Sequence, residues 1–186
     1  IFGESNISKS NKLISRIGYL PENPSALPSA LESIKEADLI VLGPGSLYTS
    51  LLPNLLVPEI VDSLLKSNAP KIYVSNLMTQ PGETDGLDVY QHIKSIEKQL
   101  SNFGVKDRIF NAVLSQIQFE KSPLVDYYES RGAVPVQCNK QKLLSEGYFV
   151  LQAPLYAKRI TPTLRHDPRR LARAVMFTYR KLKKLN

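Results

Sequence analysis

The chain of 186 residues has one cysteine, Cys138, two histidines and no tryptophan. A single thiol excludes an internal disulfide framework and any Cys-rich zinc site, and makes a reducing cytoplasm the expected compartment. His92 and His166 lie far apart in sequence, so a His-rich metal site is not expected, and His166 has no visible Ser or Cys partner for a hydrolase triad. No apolar run reaches the roughly 18 residues that a membrane span requires. No Gly/Ser-rich linker, internal repeat or low-complexity tract divides the chain, so a single α/β segment over residues 1–186 is expected. Ile1 opens a polar stretch, and the sequence reads as the C-terminal part of a longer domain. Its 42% hydrophobic content is ordinary for a globular protein and excludes wholesale disorder.

The net charge of +7 is unevenly placed. Residues 158–186 hold ten Lys/Arg against one acid, Asp167, a balance of +9, and the body is left near −2. Within that tail Pro168 suits the first turn of a helix with Asp167 as N-cap. Leu171, Ala174, Val175, Thr178 and Leu182 follow at helical spacing. The pattern fits a helix docked on the core with a solvated basic face. It also fits a face that binds phosphates, an acidic partner or a membrane surface. No nucleic-acid-binding motif accompanies it, so nucleic acid is not an expected partner.

Along the body, strands are expected at residues 14–20, 39–42, 71–75 and 109–115, with shorter ones at 134–137 and 149–152. Helices are expected at 26–36, 58–66, 87–103 and 123–130, and a turn at 21–24. Leu39-Ile40-Val41-Leu42 is a continuous apolar run of the kind buried on both faces of a parallel sheet. The alternation of strands and helices predicts an open parallel α/β sheet. In such sheets ligands bind outside the carboxyl ends of the strands.

Two loops at those ends have unusual content. The first, residues 43–50, offers Gly43, Gly45, Ser46, Thr49 and Ser50, whose amides and hydroxyls suit a phosphate. It matches neither the dinucleotide fingerprint, since Tyr48 stands where a third glycine belongs, nor a Walker loop. An ordinary strand-to-helix turn explains it equally well. The second, residues 76–86, gathers Asn76, Thr79, Gln80, Glu83, Thr84 and Asp85. The amides suit a base or sugar edge, and Glu83 and Asp85 are candidate Mg²⁺ ligands or acceptors for sugar hydroxyls. Thr84 or Asp85 is equally a candidate cap for the following helix. Tyr128 is placed either to stack on a ring or to pack beside a helix end. Arg165 precedes a helix N-terminus, which suits a diphosphate as well as plain surface charge.

Residues 39–56 and 76–86, with Gly3-Glu4-Ser5-Asn6-Ile7 and Arg165-His166-Asp167, resemble the bacterial gluconeogenesis factor family. That family is homologous to the 2-phospho-L-lactate transferases of deazaflavin-cofactor biosynthesis. The resemblance implies a Rossmann-like open parallel sheet with helices on both faces, whose N-terminal, glycine-rich part is absent from this chain. One branch implies binding of UDP-sugars such as UDP-N-acetylglucosamine, a regulatory role in central carbon metabolism and cell shape, and no settled reaction. The other implies Mg²⁺-dependent transfer of phospholactate from a guanosine diphosphate conjugate to a deazaflavin alcohol. Ligand contacts implied or suggested are Gly43, Gly45, Ser46, Ser50, Asn76, Thr79, Gln80, Thr84, Tyr128 and Arg165. For Tyr128 the implied role is stacking, and for Arg165 the diphosphate. A homo-oligomer is compatible with this reading.

Overall fold

The computed structural model describes residues 6–7, 14–20, 22, 24–106, 108–156 and 163–185. Four strands, β1 (Ile40–Leu42), β2 (Lys71–Val74), β3 (Ala112–Gln116) and β4 (Phe149–Ala153), form one sheet in the order β1-β2-β3-β4. Every pairing is parallel, and the register aligns Val41, Ile72, Ala112 and Phe149 across the sheet. The helices are α1 (Pro28–Glu36), α2 (Leu52–Leu55), α3 (Pro58–Lys66), α4 (Val89–Ser101), α5 (Pro123–Glu129), α6 (Lys140–Ser145) and α7 (Pro168–Leu182). A wide π-type turn, Leu47–Leu51, runs directly into α2.

β2 and β3 are buried at every position, the polar Lys71, Ser115 and Gln116 included, in a sheet covered on both faces. Successive side chains point to opposite sides. Tyr73, Val113 and Val150 share a core with Val61 and Leu64 of α3, Ile93 and Ile96 of α4, and Leu143 of α6. Ile72, Val74, Ala112 and Leu114 share a second core with Ala174 and Leu182 of α7. The strand order never reverses, so the crossover helices α3, α4 and α6 accumulate on one face and α7 closes the other. The architecture is a Rossmann-like parallel α/β sheet with helices on both faces.

Several elements differ from the sequence expectation. Residues 14–20 form no strand; their apolar side chains recur every third position, at Ile14, Ile17 and Leu20, and a strand needs every second. This segment lies instead against the helical layer, where Tyr19 Oη donates to the Pro53 carbonyl at 2.8 Å and Ile17 packs on the core. β1 is half-buried, with Val41 40% exposed, because among the described residues it pairs with β2 alone. β3 begins at Ala112, three residues later than expected, since Asn111 Oδ1 takes the Lys71 amide at 2.8 Å just ahead of the ladder. Residues 134–137 make only an antiparallel bridge between Pro135 and Met78; proline has no N–H to extend a ladder. α6 was not expected; its cue is Asn139, whose side chain accepts from the Lys142 amide. Gly3, Glu4, Ser5, Pro21 and Asn23 lie outside the described residues.

Candidate functional site

The two polar loops leave the carboxyl ends of β1 and β2 side by side. Gly43 turns the chain with φ +93°, and a Cβ there would stand 2.6 Å from the Val74 carbonyl oxygen. Only glycine meets both demands. A cis peptide bond joins it to Pro44, and Gly45 follows with Leu51 Cδ2 3.1 Å from where its Cβ would be. The Gly45 amide donates to Asn76 Oδ1 at 3.3 Å, and Ser46 Oγ donates to Glu83 Oε2 at 2.8 Å. These two bonds tie the first loop to the second.

The second loop is held largely by its own groups. The Gln80 amide donates to Thr84 Oγ1 at 2.8 Å, the Gly82 amide to Asp85 Oδ2 at 2.6 Å, and the Thr84 amide to the Gln80 carbonyl at 2.9 Å. Residues 134–136 brace its start. The Thr79 amide donates to the Val134 carbonyl, the Val134 amide to Thr79 Oγ1 and the Val136 amide to the Leu77 carbonyl. Neither Thr84 nor Asp85 caps the next helix. Asp88 does, in a capping box with Gln91.

A cavity of about 630 Å³ opens between these loops. Pro44, Gly45 and Ser46 line one wall, and Asn76 to Gln80 the next. Tyr128 of α5 and Leu164, Arg165 and His166, just ahead of α7, complete it. Of the ten residues suggested as ligand contacts, seven meet here: Gly45, Ser46, Asn76, Thr79, Gln80, Tyr128 and Arg165. Gly43 sits at the root of the first loop, outside the lining. Ser50 is exposed on the helical side, its carbonyl accepting from Asn54 Nδ2, and Thr84 is wholly buried inside its loop.

The lining groups differ in what they can still offer. The Thr79 hydroxyl already accepts from Val134, and the Tyr128 hydroxyl accepts from the Leu164 amide at 3.2 Å. Tyr128 therefore presents its ring, set edge-on to Tyr127 at 5.9 Å. Asn76 uses its oxygen on Gly45, which leaves its NH₂ as a donor. Arg165 is exposed and, among the described residues, is the one lysine or arginine that lines the cavity. Asp167, two residues on, is buried and accepts from the Arg169 and Arg170 amides at 3.0 Å each, so the N-cap expectation holds.

Sequence reasoning missed Pro44, Leu77, Met78, Leu164 and His166 as lining residues. Burial pushes the His166 pKa below its ordinary value, the Ser75 backbone carbonyl acting in the opposite direction, so the ring is neutral at neutral pH. Its Nε2 is buried without a hydrogen-bond partner. Adjacency to Arg165 was the only signal. The apolar residues lie in or beside segments that the sequence marks through their polar neighbours, and nothing local shows that these apolar side chains face the same cavity.

Magnesium would need carboxylates alongside substrate phosphates. Among the described residues no carboxylate lines the cavity: Glu83 faces Ser46 and Asp85 faces the Gly82 amide. Among the described residues no three His, Cys, Asp or Glu side chains group as a metal centre. The donor set among the described residues does not fit the ion.

Comparison with known proteins gives a consistent picture. The family description "2-phospho-L-lactate transferase CofD" matches residues 1–156. A Nostoc sp. relative is 41% identical over 179 residues, covering 96% of this chain and 38% of its own length. The gluconeogenesis factor of Halalkalibacterium halodurans is 37% identical over 95% of this chain and 53% of its own. That of Bacillus subtilis is 34% identical over 92% and 52%. A crystal structure of a Bacillus halodurans protein superposes with a TM-score of 0.84 at 36% identity, covering 94% of this chain and 54% of that one. The chain thus spans between about a third and a half of the curated relatives it matches. Among the described residues no helix is long and apolar enough to cross a membrane.

Proposed function

Because the chain belongs to the 2-phospho-L-lactate transferase CofD family, whose curated members here are gluconeogenesis factors, we propose that its cavity binds a nucleoside diphosphate conjugate. The preferred ligand is a UDP-sugar of the UDP-N-acetylglucosamine type. In this reading the protein is a cytoplasmic regulator that reports precursor supply to carbon metabolism and cell morphogenesis. The observation that carries it is Arg165 facing the loops of Gly45, Ser46 and Asn76 across one cavity.

The division of labour follows from the groups available. Arg165 offers a planar fork that pairs with a diphosphate. The turn at Gly45 and Ser46 lets a phosphate approach the backbone closely. Asn76 Nδ2 and Gln80 suit a sugar or base edge, and the Tyr128 ring, with Leu77, Met78 and Leu164, supplies an apolar wall for a ring face. A neutral His166 adds no second charge.

Calorimetric titration of the full-length protein with UDP-N-acetylglucosamine tests the reading. Saturable heat that disappears in Arg165→Ala is the expected result, and silence at millimolar ligand would sink it. The family match also supports a second reading, phospholactate transfer. A deazaflavin hydroxyl would attack the phosphorus distal to guanosine and GMP would leave, a reaction that relies on positioning more than on a protein nucleophile. Acceptor-dependent GMP release from the guanosine diphosphate conjugate distinguishes the two, since a purely regulatory protein releases none.

A further inference from the structure

α7 has two faces, and the cavity accounts for neither. Leu171, Ala174, Val175, Thr178 and Leu182 turn onto the sheet. Diametrically opposite, at spacings of four, three, four and four, run Arg169, Arg173, Met176, Arg180 and Lys184, with Phe177 beside them. Residues 168–185 contain seven Lys/Arg and no acid. The ion pairs formed among the described residues join Lys66 to Asp62 and Lys94 to Glu97 and Glu146; none reaches α7.

Apolar groups stand among these cations. Met176 is 43% exposed, Phe177 47% and Leu185 72%. The Lys181 ammonium lies 5.5 Å from the Phe177 ring centre, and the Lys183 ammonium 5.7 Å from that of Tyr179. Between Phe177, Arg180, Lys181 and Lys184 the surface holds a shallow depression of about 520 Å³. We propose that this outer face of α7 is a docking surface for anionic lipid headgroups.

Charge complementarity selects an anionic partner, and the form of the face selects a bilayer. A single straight helix of 15 residues presents a convex ridge about 22 Å long, which meets a plane along its whole length. Cationic side chains then lie among the headgroup phosphates while Met176 and Phe177 reach the acyl boundary. Nucleic acid would satisfy the cations equally but offers nothing to methionine. Clusters of four to eight cations on one helix are sufficient for such attraction, each strengthening association about five-fold.

The test is sedimentation of the full chain with vesicles of phosphatidylcholine and phosphatidylglycerol in two-to-one proportion, against vesicles of phosphatidylcholine alone. Binding to the first and not the second is expected, weakening as salt rises from about 0.1 to 1 M. The triple variant Arg173→Glu, Arg180→Glu, Lys184→Glu should lose at least 100-fold in binding. Met176→Ser with Phe177→Ser, at unchanged charge, should lose about 10-fold. Because the chain has no tryptophan, Phe177→Trp supplies a single reporter whose emission should shift to the blue on anionic vesicles. All these side chains point away from the sheet, so circular dichroism should match the parent chain in every variant. No binding to anionic vesicles overturns the proposal. So does charge-dependent binding that ignores the Met176 and Phe177 changes, which would show general attraction to polyanions and no seating of the face in a bilayer.

Discussion

Replacing Gly43 by alanine tests whether the first loop is held where it is by the backbone of β2. Two costs combine. At φ +93° an L side chain is in the left-handed region, at about 1–2 kcal/mol. The added Cβ also falls 2.6 Å from the Val74 carbonyl oxygen, whereas carbon and oxygen ordinarily approach no closer than about 3.3 Å. β2 is paired on both sides, so it cannot retreat cheaply, and overpacking of this kind costs about 1–3 kcal/mol. A total near 3 kcal/mol follows. Gly86 provides the comparison, for its φ is +69° but a Cβ there meets nothing within 4 Å. Gly86→Ala should cost only the conformational part, about 1 kcal/mol. For a chain of this size each kcal/mol lowers Tm by about 2–4 °C. Thermal melts followed by circular dichroism should therefore separate the variants, with Gly43→Ala falling roughly three times as far. The same displacement loosens Gly45 from Asn76, so Gly43→Ala should also weaken ligand binding while Gly86→Ala does not. Equal stability losses in the two variants would refute the close-approach argument.

Other consequences are as direct. Arg165→Ala should weaken a diphosphate ligand about 10- to 100-fold in calorimetry, the range for losing a charged hydrogen-bonded partner, with little change in Tm. Arg165→Lys should recover only part of that affinity, because an ammonium cannot make the forked contact. Asp167→Ala removes a buried cap that accepts two amides and should cost about 1–2 kcal/mol, seen as a lower Tm with α7 the first element to lose protection from hydrogen exchange. Burial lowers the pKa of both His92 and His166, so below the unfolded value of about 6.5 the unfolded chain binds more protons than the folded one. Stability should consequently fall as pH drops from about 6.5 toward 5, by at most about 1.4 kcal/mol per pH unit for each histidine. His92→Asn keeps a donor for the Asp88 carbonyl, to which His92 Nδ1 is bonded at 2.8 Å, and should remove that residue's share of the slope. A urea titration series that is flat across this range would contradict the burial argument.

Much of the molecule is determined locally, and that part is legible in the chain. α3 spans Pro58–Lys66 as its helical spacing and N-terminal proline predict. α7 begins at Pro168 under an Asp167 cap for the same kind of reason. The apolar stretches 72–74 and 112–114 mark strands of a sheet covered on both faces, whereas the continuous run 39–42, which the same reasoning would bury on both faces, lies in the half-buried β1. The polar wealth of residues 76–86 marks a loop of interest, since no simple connection needs so many hydrogen-bonding groups. What those groups do was decided elsewhere. Thr84 and Asp85 turn inward to hold the loop, and Thr79 is occupied by Val134, a residue 55 positions away. The same holds for the edge position of β1, the failure of residues 14–20 to join the sheet, and the arrival of Tyr128 and Arg165 at one cavity. Helix spacing, caps and apolar runs are set by neighbours along the chain, within one or two turns. The partner of a hydroxyl, the far side of a strand and the walls of a cavity are set by segments that meet only after the sheet has assembled, and nothing in the local sequence records which segments those will be.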